Sequence, residues 1–108
     1  HKGERDLAAV LERATIEVKA DSWIGRTRKI AVEYESRGKP SGIATTEADY
    51  WCFIFDGNDA KKTFIMVDTD RLKYIAREYL KKGSIKKMGD KNSSTAVLIP
   101  LCEFMRMV

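Results

Sequence analysis

Residues 6–20 read Asp-Leu-Ala-Ala-Val-Leu-Glu-Arg-Ala-Thr-Ile-Glu-Val-Lys-Ala, and the fold prediction depends most on these residues. Two runs within it, residues 6–11 and 14–20, have the apolar content and alternation of β-strands. The two residues between these runs, Glu-Arg, are few enough to form the turn of a hairpin. We therefore predict an antiparallel β-hairpin near the start of the chain.

The predicted hairpin sets which side chains share a face. A two-residue turn places Asp6 opposite Lys19, and alternate residues of a strand lie on the same face. Asp6, Glu17 and Lys19 are therefore expected together on one face. The apolar residues that alternate with them, such as Ile16 and Val18, are expected to face the core.

The rest of the chain alternates between strand and helix patterns. Residues 29–35 are predicted to form a third strand between two loops at residues 21–28 and 36–43. The remaining predicted elements are a short helix starting at Thr45 or Thr46, strands at residues 50–55 and 63–67, a helix from Asp68 or Thr69 to about Lys82 that Gly83 ends, a loop at residues 84–94, a strand at residues 95–101 and a final helical turn. This order predicts a mixed α/β sandwich around one sheet.

The composition limits the class of protein. The chain has 108 residues, and we expect residues 1–108 to form a single domain. Its formal charge of +4 permits an acidic partner such as nucleic acid but does not require one. Cys52 and Cys102 lie in apolar runs, which favours buried thiols in a reducing, cytoplasmic compartment. We expect no membrane association, because no apolar run reaches the ~18 residues of a membrane span and no signal peptide is visible.

The third predicted strand adds two carboxylates to the same face. If all three apolar faces pack on one core, Glu33 and Glu35 join Asp6, Glu17 and Lys19. Clustered carboxylates repel one another, and a divalent cation removes that repulsion. A lysine beside them can stabilise negative charge on a phosphate. The alternative is an ordinary solvated face, since the outer side of an antiparallel sheet is commonly polar.

The motif formed by these residues resembles a known signature. Asp6, ten further residues and then Glu17-Val18-Lys19 resemble the PD-(D/E)XK motif of restriction-endonuclease-like nucleases. The predicted β-β-β-α-β order also resembles the core of that superfamily. Residues 32–43, followed by residues 45–51, look like small phage-encoded members, which are similar to archaeal Holliday junction resolvases.

The resemblance implies an α/β, restriction-endonuclease-like mixed sheet flanked by helices. It implies that Asp6 and Glu17 bind Mg²⁺ or Mn²⁺, that Lys19 is the catalytic lysine, and that Glu33 rather than Glu35 supplies a further acid. The expected activity is endonucleolytic hydrolysis of DNA phosphodiester bonds, of a structure-specific, junction-resolvase-like kind. A homodimer in the cytoplasm of a bacterial or phage-infected cell is also expected.

Basic loop residues complete the expected contacts with DNA. Arg26 and Arg28 follow the Glu-x-Lys strand, and Arg37, Lys39 and Ser41 lie in the glycine-rich stretch after the third strand. Such side chains can contact phosphate groups, although lysine and arginine clusters are as often only solvated surface. Two alternatives therefore remain: a non-catalytic nucleic-acid-binding module that uses the same loops, and a structural protein without a nucleic-acid role.

Overall fold

Seven strands, three helices and two 3₁₀ turns are seen in the part of the chain that the computed structural model describes, which is residues 13–57, 59 and 61–108. In chain order they are β1 (Ile16–Ala20), α1 (Ser22–Thr27), β2 (Lys29–Ser36), β3 (Lys39–Pro40), a first 3₁₀ turn (Gly42–Ala44), β4 (Tyr50–Asp56), β5 (Lys62–Asp68), α2 (Thr69–Lys81), β6 (Ile85–Met88), a second 3₁₀ turn (Asp90–Asn92), β7 (Ser94–Pro100) and α3 (Leu101–Met107).

The strands form two sheets rather than one. The first sheet has the order β1-β4-β5, with β1 parallel to β4 and β4 antiparallel to β5. The second sheet has the order β3-β2-β7-β6, and all of its pairs are antiparallel. The predicted mixed α/β architecture is confirmed, whereas the prediction of a single sheet is wrong. The restriction-endonuclease-like arrangement remains a prediction.

The pairing of β1 reverses the predicted orientation of its two faces. Glu17 lies beside Trp51 in the register of β1 with β4, so both point to the same side of the sheet. Trp51 is buried, whereas Ile16 and Val18 on the opposite side are 47% and 53% exposed. The prediction that these apolar residues face the core is therefore wrong, because alternation alone cannot show which face is covered. The predicted strand at residues 6–11 and its hairpin lie outside the described residues.

The long helix has the predicted boundaries and face. The Asp68 carboxylate accepts a hydrogen bond from the Arg71 backbone N–H at 2.8 Å and so caps the N-terminus of α2. The apolar residues of the predicted periodicity include Leu72 and Ile75, and both are fully buried. Past the C-terminus, Gly83 has a φ of +75° and its N–H donates to the Leu80 carbonyl. The β4–β5 hairpin, β7 and the final helical segment also agree with the sequence-based expectation.

Four short segments differ from their predictions. The predicted loop at residues 21–28 contains α1, which Asp21 caps by accepting from the Trp23 N–H. The predicted loop at residues 84–94 contains β6, which pairs with β7, and the loop at 36–43 contains β3 and the first 3₁₀ turn. No helix starts at Thr45 or Thr46. The chain instead forms the first 3₁₀ turn, Gly42–Ala44, directly before these two residues. These short elements depend on tertiary pairing, which local propensity does not predict.

The core joins residues of both sheets to all three helices. Phe53 of β4 and Phe104 of α3 meet edge-to-face, with ring centroids 5.7 Å apart. The buried apolar side chains in contact are Ile24, Ile30, Val32, Ile43, Trp51, Phe53, Phe55, Ile65, Val67, Leu72, Ile75, Ala76, Tyr79, Val97, Ile99, Leu101 and Phe104. Cys52 is half-buried and Cys102 is exposed, so the prediction of two buried thiols is wrong. Within the described ranges, no helix has both the length and the apolarity that crossing a bilayer requires.

The pH dependence of unfolding should report one contact between α2 and α3. The Tyr79 hydroxyl donates to a Glu103 carboxylate oxygen, and this bond together with burial raises the pKa of Tyr79 to about 12. Because the pKa is raised on folding, this stabilisation is fully present below about pH 10, the ordinary value, and is lost as the pH rises to about 12. We expect the Tm advantage of the wild type over Tyr79→Phe to shrink across that window. Tyr74→Phe, at an exposed position, is the matched control, and a pH-independent advantage would contradict the prediction.

Candidate functional site

A cavity of about 220 Å³ is lined by residues from both sheets. Lys19 and Trp51 come from β1 and β4 of the first sheet, and Glu33 comes from β2 of the second. The other lining residues are Ala20, Asp21, Ala31, Gly42, Phe53 and Met88. Of the residues that the sequence assigns to catalysis, the fold therefore places Lys19 and Glu33 at one cavity.

Lys19 lies over the indole ring of Trp51. Its Nζ is 5.6 Å from the ring centroid, which is within the range of a cation–π interaction. The lysine side chain is exposed, so the ammonium group stays in contact with water while the indole beneath it is buried. The Lys19 charge is thus held at the cavity without being fully desolvated.

The indole nitrogen of Trp51 makes no hydrogen bond to any residue that the structure describes. The residue is 2% exposed, and its buried Nε1 has no hydrogen-bond acceptor among the residues described. An indole nitrogen can only donate, and leaving a buried donor unpaired costs about 1–3 kcal/mol.

Glu33 is held in place from the neighbouring segment of the chain. The Ser41 Oγ donates to Glu33 Oε2 at 2.9 Å, and the two side chains are partly buried. The register of β2 with β7 shifts between Glu33 and Glu35, which marks a bulge or irregularity at this point of the strand. Such irregularities often re-aim a side chain next to a functional site. Glu35, the less favoured candidate, does not line the cavity.

Asp21 is a second carboxylate at the cavity, and the sequence analysis did not select it. Its backbone N–H donates to the Ile54 carbonyl at 3.0 Å, and its Oδ1 accepts from the Trp23 N–H at 2.8 Å. The sequence feature that could have identified Asp21 is its position directly after the Glu-x-Lys strand. Trp51 was missed because a tryptophan in an apolar run is most simply a core residue.

Glu17 points to the same side of the sheet as Lys19 but not into this cavity. It is half-buried and lines a separate depression with residues that include Thr46 and Glu47. Asp6, the other predicted metal ligand, lies outside the described residues. The spatial relation between the two predicted ligands therefore stays a prediction.

The donor set of the cavity is compatible with a hard divalent cation. Asp21 and Glu33 supply carboxylate oxygens, and Mg²⁺ is commonly held by one or two protein carboxylates together with waters and substrate phosphate. Within residues 13–57, 59 and 61–108, no group of three or more His, Cys, Asp or Glu residues is placed to hold a metal ion. A cation here would therefore depend on few protein ligands.

The predicted DNA-contacting residues differ in the contacts that their side chains make within the protein. Arg26, Arg28, Arg37 and Lys39 are all exposed. The Arg26 guanidinium stacks on the exposed Trp23, 4.8 Å from its ring centroid. Arg28 and Arg37 have the positive φ angles of tight turns, +59° and +53°. The Ser41 hydroxyl is bonded to the Glu33 carboxylate, which gives it a positioning role.

Comparison with protein-family models, with curated proteins and with solved structures finds no match for this chain. The assignment of a function therefore depends on the side chains themselves.

Replacing Gly42 should disturb the cavity wall. Gly42 has a φ of +54°, and a Cβ at this position would lie 2.2 Å from the Glu33 carbonyl oxygen. We expect Gly42→Ala to lower the free energy of unfolding by about 2–4 kcal/mol, because a backbone clash is added to the strain of a left-handed alanine. Urea denaturation followed by circular dichroism measures the change.

Gly38→Ala is the matched control for that variant. Gly38 also has a positive φ, +78°, but its Cβ would meet no described atom within 4 Å. It should therefore cost only the conformational strain, about 1 kcal/mol. Equal losses in the two variants would show that the contact between Gly42 and Glu33 does not constrain this segment.

Proposed function

We propose that this chain is a metal-dependent endonuclease that hydrolyses DNA phosphodiester bonds, with Lys19 and Glu33 at the reacting centre. The observation that carries the proposal is that these two residues, from different sheets, line one cavity in which the Trp51 ring lies against the Lys19 ammonium. The Glu17-Val18-Lys19 motif supports the same chemistry from the sequence.

Lys19 and Trp51 suit a phosphate group. The Lys19 ammonium is a positive charge that can stabilise the extra negative charge of the phosphorane-like transition state. The Trp51 ring lies 5.6 Å from the Lys19 Nζ and so helps to position that charge at the cavity. Both groups are held by the β1–β4 pairing, which reduces the entropy that binding must overcome.

Glu33 suits the handling of a water molecule. Ser41 occupies Oε2, which fixes the orientation of the carboxylate and leaves Oε1 available to accept a proton or a hydrogen bond. A bound Mg²⁺ or Mn²⁺ would polarise the phosphate and lower the pKa of a coordinated water. We propose Asp6 and Glu17 as its motif-derived ligands. Asp21 and Glu33 are the alternative pair, because they line the cavity of Lys19, whereas Glu17 lines a separate depression.

DNA is the proposed partner. The exposed positions of Arg26, Arg28, Arg37 and Lys39 allow them to follow a phosphate backbone, as expected for sequence-independent binding. We also include Ser41 among the proposed DNA-contacting residues. Its hydrogen bond to Glu33 connects the basic turn at residues 37–39 to the cavity.

A non-catalytic nucleic-acid-binding module is the second candidate. It is favoured by the four exposed basic side chains, Arg26, Arg28, Arg37 and Lys39, which can bind phosphate groups without any catalytic residue. The two candidates differ in one outcome: only the nuclease converts supercoiled DNA to nicked or linear forms when a divalent cation is added.

The cleavage test uses supercoiled and branched DNA with Mg²⁺ or Mn²⁺. We expect Lys19→Ala and Glu33→Gln each to lower the cleavage rate by about 100-fold or more, because each removes a group from the reacting centre. DNA affinity, measured by fluorescence anisotropy, should change much less for Glu33→Gln than the cleavage rate does.

The matched control is Lys61→Ala, which removes an equivalent charge from an exposed lysine 4.0 Å from Asp59. It should cleave at the wild-type rate. A folded wild type without metal-dependent cleavage, or full activity in both cavity variants, would reject the nuclease proposal and leave the binding module.

The salt dependence of DNA affinity should show whether the basic turn at residues 37–39 contacts DNA phosphates. The variant Arg37→Asn with Lys39→Gln removes two charges, and asparagine tolerates the positive φ at position 37. If both side chains contact phosphates, the slope of log K against log salt should fall by about 1.8 for duplex DNA. The control Lys81→Gln with Arg106→Gln removes two exposed charges elsewhere, and an equal change in both variants would place the DNA on another surface.

A further inference from the structure

The second sheet carries a lysine on the same face as Glu33. Glu33 of β2 pairs with Ala96 of β7, and Ala96 pairs in turn with Lys86 of β6. Residues that pair across antiparallel strands point to the same side of the sheet, so the Glu33 and Lys86 side chains share one face. Their backbones are two strand spacings apart, roughly 10 Å. The side chain between them in this row is the methyl group of Ala96.

The strand of Lys86 reaches the cavity that Lys19 and Glu33 line. Met88 follows Lys86 by two residues, so it lies on the same face of β6, and it belongs to the cavity wall. Lys86 is exposed. It is therefore a solvated cation one alternate position along the strand from the wall of the cavity.

The neighbouring lysine of β6 has a different environment. Lys87 points to the opposite side of the strand, and its Nζ donates to the Thr95 Oγ1 at 2.9 Å. No ion pair among the described residues involves Lys86. The Lys86 charge is thus available on the face of Glu33, whereas Lys87 bonds within the sheet.

The basic turn at residues 37–39 lies at the end of the second sheet to which β6 leads. The ends of β2 and β6 both pair with Ser94 of β7. The Arg37 N–H donates to the Ser93 carbonyl at 2.8 Å, which joins the turn after β2 to the segment between β6 and β7. A polyanion that contacts the basic turn can therefore continue across the sheet to β6.

We propose that Lys86 binds a DNA phosphate that flanks the reacting one, so that one face of the second sheet supplies both Glu33 and a contact that positions the substrate. The inference rests on the proposed DNA substrate and adds a residue outside the motif and outside the cavity lining. Lysine binds phosphate as a point charge and needs no fixed geometry.

The alternative role of Lys86 is to protect the edge of the sheet. β6 is an edge strand, and lysines on edge strands hinder pairing with another chain. That role makes no distinction between Lys86 and Lys87, because both are exposed on the same short strand. The phosphate contact, in contrast, requires the face of Glu33 and therefore Lys86 alone.

Fluorescence anisotropy of the whole chain with duplex DNA, measured over a range of salt concentrations, tests the contact. Lys86→Gln should lower the slope of log K against log salt by about 0.9 and weaken binding by about fivefold at 0.15 M salt, since one phosphate contact is lost. Lys87→Gln is the matched control, because it removes the same charge from the next residue, and it should leave the slope unchanged. Lys86→Arg keeps the charge and should bind as the wild type does.

Cleavage kinetics separate a substrate-positioning contact from a group of the reacting centre. Lys86→Gln should raise KM by about the same fivefold and change kcat by less than about twofold. Glu33→Gln should instead lower kcat.

A wild-type slope in Lys86→Gln, or equal losses in Lys86→Gln and Lys87→Gln, would overturn the phosphate contact while the nuclease proposal stands on the cleavage by the wild type. A wild type that binds DNA without cleaving it would reject the nuclease, and the slopes of the two variants would still decide the Lys86 contact. A wild type that binds no DNA at low salt would overturn both. Circular dichroism of each variant shows whether its fold is retained.

Discussion

The cavity and the exposed apolar side of β1 both depend on the parallel pairing of β1 with β4. It places Lys19 beside Phe53 and continues past the strand in the hydrogen bond from the Asp21 N–H to the Ile54 carbonyl. Because paired residues point to the same side, the charged residues of β1 lie on the side of the buried aromatic rings. The apolar residues of β1 consequently face outwards, and a shift of one residue would exchange the two faces.

This orientation of β1 has a free-energy cost, which contacts around Lys19 only partly offset. The Lys19 ammonium gains a cation–π contact of about 0.5–1 kcal/mol with Trp51 and remains hydrated. The Trp51 Nε1 remains unpaired among the described residues, and the exposed apolar side of β1 gains nothing from burial. Departures from simple inside–outside patterning are expected where a protein binds something. Both departures here lie on the same strand pair, one on each face.

The second half of the cavity depends on the path of the chain after β2. The strand loses its regular register after Glu33, turns at Arg37 and Gly38, and returns so that Ser41 donates to the Glu33 carboxylate. Gly42 then passes so close to the Glu33 backbone that a side chain would collide with it. The orientation of this carboxylate is thus a property of the whole segment and not of its position in a strand pattern.

Local sequence signals are sufficient to predict two of the elements. The helix α2 follows from a 3.6-residue periodicity, an Asp68 cap and Gly83, and the β4–β5 hairpin follows from two apolar runs around a turn. The sequence also identified Lys19 and Glu33 as candidate site residues, because both are charged residues that alternate with apolar ones in predicted strands. Sequence patterns do not predict which strand pairs with β1, which face of β1 is covered, or that Asp21 and Trp51 line the same cavity. A period of two defines two faces of a strand, but distant residues that pack against one face determine which of the two is buried.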